Sequence, residues 1–166
     1  MQSYTNFKLF GIAITQSASG EKKKVSPKTF FEYSTLSIPA RLLRAMGDDM
    51  FSGIYIRNDV HPFFIVKIED FDIAYESMLV WEKTMFQDFE SFIRTQKGTE
   101  PTAAALPQAT FVDAVVGNKD TRILKDSESN TIMMYSFIDS KTLIIADDED
   151  TFKEILTRYQ SSQSIR

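Results

Sequence analysis

Cysteine is absent from all 166 residues. That removes disulfides, thiolate zinc sites and cysteine nucleophiles together, and it fits any cellular compartment. Histidine occurs once, at His61, so a zinc centre built on several histidines is excluded as well. Neither Gly-x-Gly-x-x-Gly nor Gly-x4-Gly-Lys-Ser/Thr occurs, which leaves no phosphate-cradling loop. Apolar runs stop at about five residues, far below the ~20 that span a bilayer as a helix. Positive charge is also short: 19 Lys and Arg against 23 Asp and Glu give a net charge of −4. A nucleic-acid partner wants the opposite balance on one face, so none is expected.

What is present is an ordinary globular composition, 43% hydrophobic and 25% charged, with 14 Phe, six Tyr and seven Met to fill a bulky core. Met1 to Lys8 has no basic region followed by an apolar core and does not read as a secretory signal. A strand at Phe7–Thr15 begins almost at once, as it would in an excised domain carrying a start Met; a compact native protein would read the same way. Gln16 to Lys24, with the run Lys22-Lys23-Lys24, reads as a solvated loop. Ser26-Pro27 and the residues before Pro39 are helix starts, and Gly47 is expected to end the second helix.

Strands follow at Phe51–Arg57 and Phe63–Ile68, joined through Asn58-Asp59-Val60-His61-Pro62. Asp70 or Asp72 caps a long helix whose apolar positions are 71, 75, 78, 79, 85, 86, 89, 92 and 93. Residues 95–110, rich in Gly, Pro, Ala and Thr, read as a linker or a long ordered connection between halves 1–94 and 111–160. The second half supplies strands Phe111–Val116, Thr121–Lys125, Thr131–Ile138 and Thr142–Ala146, then a helix from about Asp148 to Tyr159 and a tail expected to fray.

The two strand-to-helix joins echo each other at an offset of 77, pairing Val66 with Leu143, Asp70 with Asp147, Tyr75 with Phe152, Met78 with Ile155 and Leu79 with Leu156. Two ββα units sharing one antiparallel sheet, helices on one face, would produce this echo; so would any two strand-cap-helix joins. The fold expected is therefore a single α+β domain over 1–166, with a pseudo-duplication left open.

Few residues suggest chemistry. His61 in Asp59-Val60-His61-Pro62 reads as a polar turn residue ahead of a proline, since no Gly-x-Ser-x-Gly elbow or comparable nucleophile motif accompanies it. Glu69, Asp70 and Asp72, and Asp147 to Asp150, fall where helices start, so capping explains them better than metal binding without EF-hand spacing. Asp48-Asp49 reads as a turn. Trp81, beside Met78 and Met85, reads as core or core edge, with a partner site as the alternative. No residue is assigned as catalytic, cofactor-binding or metal-ligating, and no cofactor is expected.

The pattern Pro62-Phe63, Tyr75 and Met78-Leu79-Val80-Trp81-Glu82, with the second half from Phe111 to Tyr159, resembles uncharacterised bacterial proteins. In these the corresponding region is often the soluble C-terminal part behind a membrane segment. The resemblance implies fold type and location, not activity. The leading functional expectation is a non-catalytic interaction or scaffolding domain, the exposed part of a membrane-anchored protein, that offers a sheet edge or helix groove to a protein partner or to itself. The alternatives are a small hydrolase using His61 with Asp59 or another acid, and a small-ligand-binding domain.

Overall fold

Two short apolar runs, Phe63-Phe64-Ile65-Val66 and Leu143-Ile144-Ile145-Ala146, become hydrogen-bonded neighbours inside one sheet. The computed structural model describes residues 8–12, 15–18, 21–34, 36–97 and 110–163. Its elements are β1 (Lys8–Ile12), β2 (Thr15–Ala18), β3 (Glu21–Lys24), α1 (Pro27–Tyr33), α2 (Ala40–Ala45), β4 (Met46–Ile56), β5 (Val60–Ile68) and α3 (Phe71–Lys97). The second half adds β6 (Phe111–Val116), β7 (Lys119–Lys125), β8 (Thr131–Asp139), β9 (Thr142–Ala146) and α4 (Glu149–Gln163). Seven strands form a sheet in the order β1-β4-β5-β9-β8-β7-β6, antiparallel throughout, while β2 and β3 pair separately. This is the expected α+β class. Among the described residues, no helix is long and apolar enough to cross a membrane.

Local chemistry explains most boundaries. Ser26 caps α1, its hydroxyl accepting from Thr29 N at 3.2 Å, with Pro27 at the first helical position. Asp70 caps α3 by accepting from Ile73 N at 3.0 Å. Gly117 (φ 59) and Asn118 (φ 58) join β6 to β7 in the two-residue turn that needs both residues left-handed.

Several expectations need correction. Lys22-Lys23-Lys24 lies in β3 rather than in a loop. Gly47 does not end α2; it sits inside β4, where an added Cβ would meet Lys67 and Glu69 side chains at 3.4 Å. Asp48-Asp49 belongs to β4 as well, in the irregular stretch between Met46 and Met50. The join between β4 and β5 is shorter than expected, and His61 and Pro62 are strand residues opposite Tyr55 and Ile54. Pro62 stands one step beyond the last β5–β9 rung, Phe63 to Ala146, at the margin where a strand tolerates a residue with no N–H. Gln160 to Gln163 continue α4. Of the linker, Thr95 to Lys97 finish α3 and 98–109 lie outside the described residues, as do Phe7, Ala13 and Ile14 of the first strand and 164–166 of the tail.

The largest correction concerns the faces of the sheet. Paired residues Val66 and Leu143, with Ile68, Ile145, Met133 and Tyr135, pack with Leu42 of α2 and with Ala74, Met78, Trp81, Met85 and Phe89 of α3. Their neighbours Phe63, Ile144, Ala146, Met134 and Ile123 pack with Phe152, Ile155 and Leu156 of α4. Side chains alternate across a strand, so α3 and α4 cover opposite faces. The helices therefore do not share one face. The cause is one residue of strand length: at the offset of 77, β5 ends at Ile68 and β9 runs one position further, to Ala146, which reverses the exit side.

The echo thus holds through the strands, where Val66 and Leu143 pair directly, and breaks at the helices. Phe152 and Leu156 are buried, whereas Tyr75 and Leu79 are exposed.

A mutational contrast tests this. Phe152→Ala should cost about 3 to 5 kcal/mol by leaving a cavity, while Tyr75→Ala should stay within about 1 kcal/mol, as surface changes do. Urea unfolding of both variants measures the difference; equal losses would restore the one-face arrangement.

Candidate functional site

Two groups of charged side chains are built into the sheet, one on each side of its centre. The first gathers around His61. The ring is 7% exposed, and its Nδ1 lies 2.9 Å from Asp147 Oδ2 and 3.0 Å from Asp148 Oδ2. Arg57, just after β4, donates to Asp148 Oδ2 at 3.2 Å and pairs with Asp150. Asp148 is also the cap of α4, accepting from Thr151 N at 2.7 Å through its other oxygen.

Of the acids at 147–150 expected to cap, Asp148 does so. Asp147, which the echo sets opposite the capping Asp70, instead faces His61, and His61 is a strand residue rather than a turn residue. Of the two partners open to His61, Asp59 or another acid brought close by the fold, it is the second that meets it, Asp147 from 86 residues away. Nothing local signals that pairing; it follows from β5 lying beside β9, where Phe63 meets Ala146.

The hydrogen bond to Asp147 outweighs burial and raises the His61 pKa above its ordinary value, helped by the charges of Asp147 and Asp148. One histidine and two carboxylates, with ligand atoms all within 4.8 Å, also form the only grouping of metal-ligand type among the described residues. That donor set suits a divalent cation. Arg57 already supplies positive charge to Asp148, however, and a proton on Nδ1 is shared between the two carboxylates facing it. A cavity of about 20 Å³ beside Asp147, lined also by Pro62, Phe64 and Ile145, has room for about one water and no more.

The second group surrounds Arg122 on the face that carries α3. Its guanidinium grips Glu82 of α3 through two bonds of 2.7 Å, donates to Asp113 of β6 at 2.8 Å and reaches the Phe111 carbonyl at 3.3 Å. Tyr135 of β8 donates its hydroxyl to the same Glu82 at 2.6 Å. Burial first, and then Glu82, push the Tyr135 phenol far above its ordinary pKa, while the Glu82 bond keeps Arg122 charged. Planar, bidentate pairing of this kind fixes geometry as well as charge. It clamps α3 to the β6–β7 hairpin.

Beyond the clamp, toward the start of α3, lies a pocket of about 190 Å³ lined by Phe71, Tyr75, Asp113, Asp120, Thr121, Arg122, Tyr135, Ser136 and Phe137. Phe71, Tyr75 and Phe137 touch one another, with ring centroids 5.2 to 6.0 Å apart. Of the apolar stripe expected on α3, Met78, Met85 and Phe89 are buried, joined by Ala74 and Trp81, whereas Phe71, Tyr75 and Leu79 form an exposed shoulder beside them. Trp81 is fully core, its indole N–H donating to Asp88 at 2.7 Å. The side chains at 92 and 93 lie outside those described. No family model matches the chain, and neither a curated protein nor a solved structure matches it.

The raised His61 pKa sets a pH dependence with a definite sign. Stabilisation by protonated His61 is fully present below its unfolded value of about 6.5 and is lost as pH rises through the higher folded value. Urea unfolding between about pH 6 and pH 8.5 should therefore show stability falling with pH. In His61→Gln that slope should vanish, and the variant should lose about 3 kcal/mol at the acid end, because buried Asp147 loses the imidazolium that faces it. An unchanged slope would detach the pH dependence from His61.

Proposed function

We propose that this chain is a non-catalytic interaction domain, and that it engages a protein partner through the exposed shoulder of α3 and the adjoining corner of the sheet. One observation carries the reading: Phe71 and Tyr75 stay exposed while stacked on one another and packed on Phe137, at the mouth of a pocket held open by the Arg122–Glu82 clamp. Scattered exposed apolar residues are normal, but rings that cluster around a concave site mark contact surfaces. Leu79 extends the cluster one turn along α3. Val115 of β6, 70% exposed, lies on the same face, since it pairs with Asp120 of β7.

A hydrolytic role for His61 finds less support. The ring is nearly sealed, its described partners are carboxylates rather than a hydroxyl, and it is not among the residues lining the two cavities described above. A general base needs a reacting group within reach, and burial among acids serves a structural ion cluster better.

Site-specific photo-cross-linking tests the docking face. A benzophenone amino acid replacing Tyr75 should give a discrete adduct in native extract, competed by excess unlabelled protein but not by the Phe71→Ser/Tyr75→Ser double variant. The same probe replacing Tyr33, 84% exposed and remote in the chain, should give none. His61→Gln should leave the adduct intact. An equal yield at both positions, or an adduct that the double variant competes away, would remove this face from the function.

A further inference from the structure

Resting on the docking face just described, we infer that its pocket accepts a basic side chain, the guanidinium of Arg or the ammonium of Lys, presented by the partner protein. Size narrows the occupant first. At about 190 Å³ the pocket is smaller than the roughly 300 to 1,000 Å³ of sites that enclose a metabolite. One side chain suits it better than a nucleotide or a cofactor.

Charge decides its sign. Among the described residues Arg122 is the one cation lining the pocket, and its charge is already met by Glu82 and Asp113. Asp120 adds a third carboxylate, and it has no ion pair or side-chain hydrogen bond among the described residues. Its backbone carbonyl is taken by the Ser136 hydroxyl at 2.7 Å, which holds the strand at that point. Three carboxylates against one guanidinium leave the site net negative. An anionic ligand would have to displace Asp113 from Arg122 and then sit beside Asp120. A cation meets Asp120 directly.

The rings complete the site. Phe71, Tyr75 and Phe137 present aromatic surface next to that carboxylate, and a cation placed over such faces is attracted by them. Aromatic surface beside a carboxylate also favours the planar guanidinium, which stacks as it pairs. The net charge of −4 on the whole chain draws a basic partner in the same sense.

The probes are short capped peptides, Gly-Gly-X-Gly-Gly with X as Arg, Lys, Leu or Glu, titrated into the full chain at low salt and followed by NMR. The Arg peptide should bind about five- to ten-fold more tightly than the Leu peptide, with the largest shifts at Phe71, Tyr75, Asp120 and Phe137. Lys should follow Arg, Glu should not bind, and the preference should shrink as salt is raised.

Asp120→Asn, a change at an exposed residue that leaves the fold intact, should erase the Arg preference. Phe137→Leu should weaken it with little change of packing. Leu binding as well as Arg would overturn the basic occupant while leaving the cross-linking result at Tyr75 to decide the docking face. A preference for Glu, or no binding by any peptide, would overturn it equally.

Discussion

The fold depends on the seam between β5 and β9. These strands come from opposite halves of the chain, and five rungs from Phe63–Ala146 to Lys67–Thr142 are where the halves meet in one sheet. Except at Lys67–Thr142, their residues are apolar on both sides. Val66 and Leu143 look toward α3, while Ile65 and Ile144 look toward α4. A sheet with two apolar faces at its centre has to be covered twice, and the two long helices divide that task. Because the seam brings β5 beside the end of β9, it also sets His61 against the acids at the start of α4. The histidine cluster is a consequence of the seam.

Much of this was legible in the sequence because its causes are local. Caps such as Asp70 and Asp148, and the run of turn-formers at 126–130, act within a few residues of themselves. The faces were less legible, though a signal was present. Strands covered on one side alternate; strands covered on both sides read as continuous apolar runs, and Leu143-Ile144-Ile145-Ala146 is such a run. The His61–Asp147 pair had no local signal at all. It spans 86 residues and depends on which strands become neighbours.

The shoulder of α3 was hidden for another reason. Apolar residues at 71, 74, 75, 78, 79, 81, 85 and 89 occupy an arc wider than one packed stripe, so periodicity alone cannot tell buried from exposed members. Burial chose Ala74, Met78, Trp81, Met85 and Phe89. The excess apolar width at Phe71, Tyr75 and Leu79 is what core packing does not require, and so it is where function can be sought.

The two charged groups then separate by what their burial permits. Around His61 the innermost pair, His61 and Asp147, is buried, with Asp148 and Arg57 half-buried beside it, so removing His61 leaves a carboxylate facing the interior. Such a group holds the end of β9, the cap of α4 and the start of β5 in one geometry. Around Arg122 the inner half is well answered: Glu82 accepts two bonds from Arg122 and a third from the Tyr135 hydroxyl. The outer half, where Arg122 meets Asp113, faces solvent, the Asp113 side chain being 89% exposed. A clamp that is rigid inside and open outside keeps its pocket shaped without filling it. Preorganisation of that kind lowers the ordering cost of a partner that arrives, which the enclosed histidine cluster cannot do.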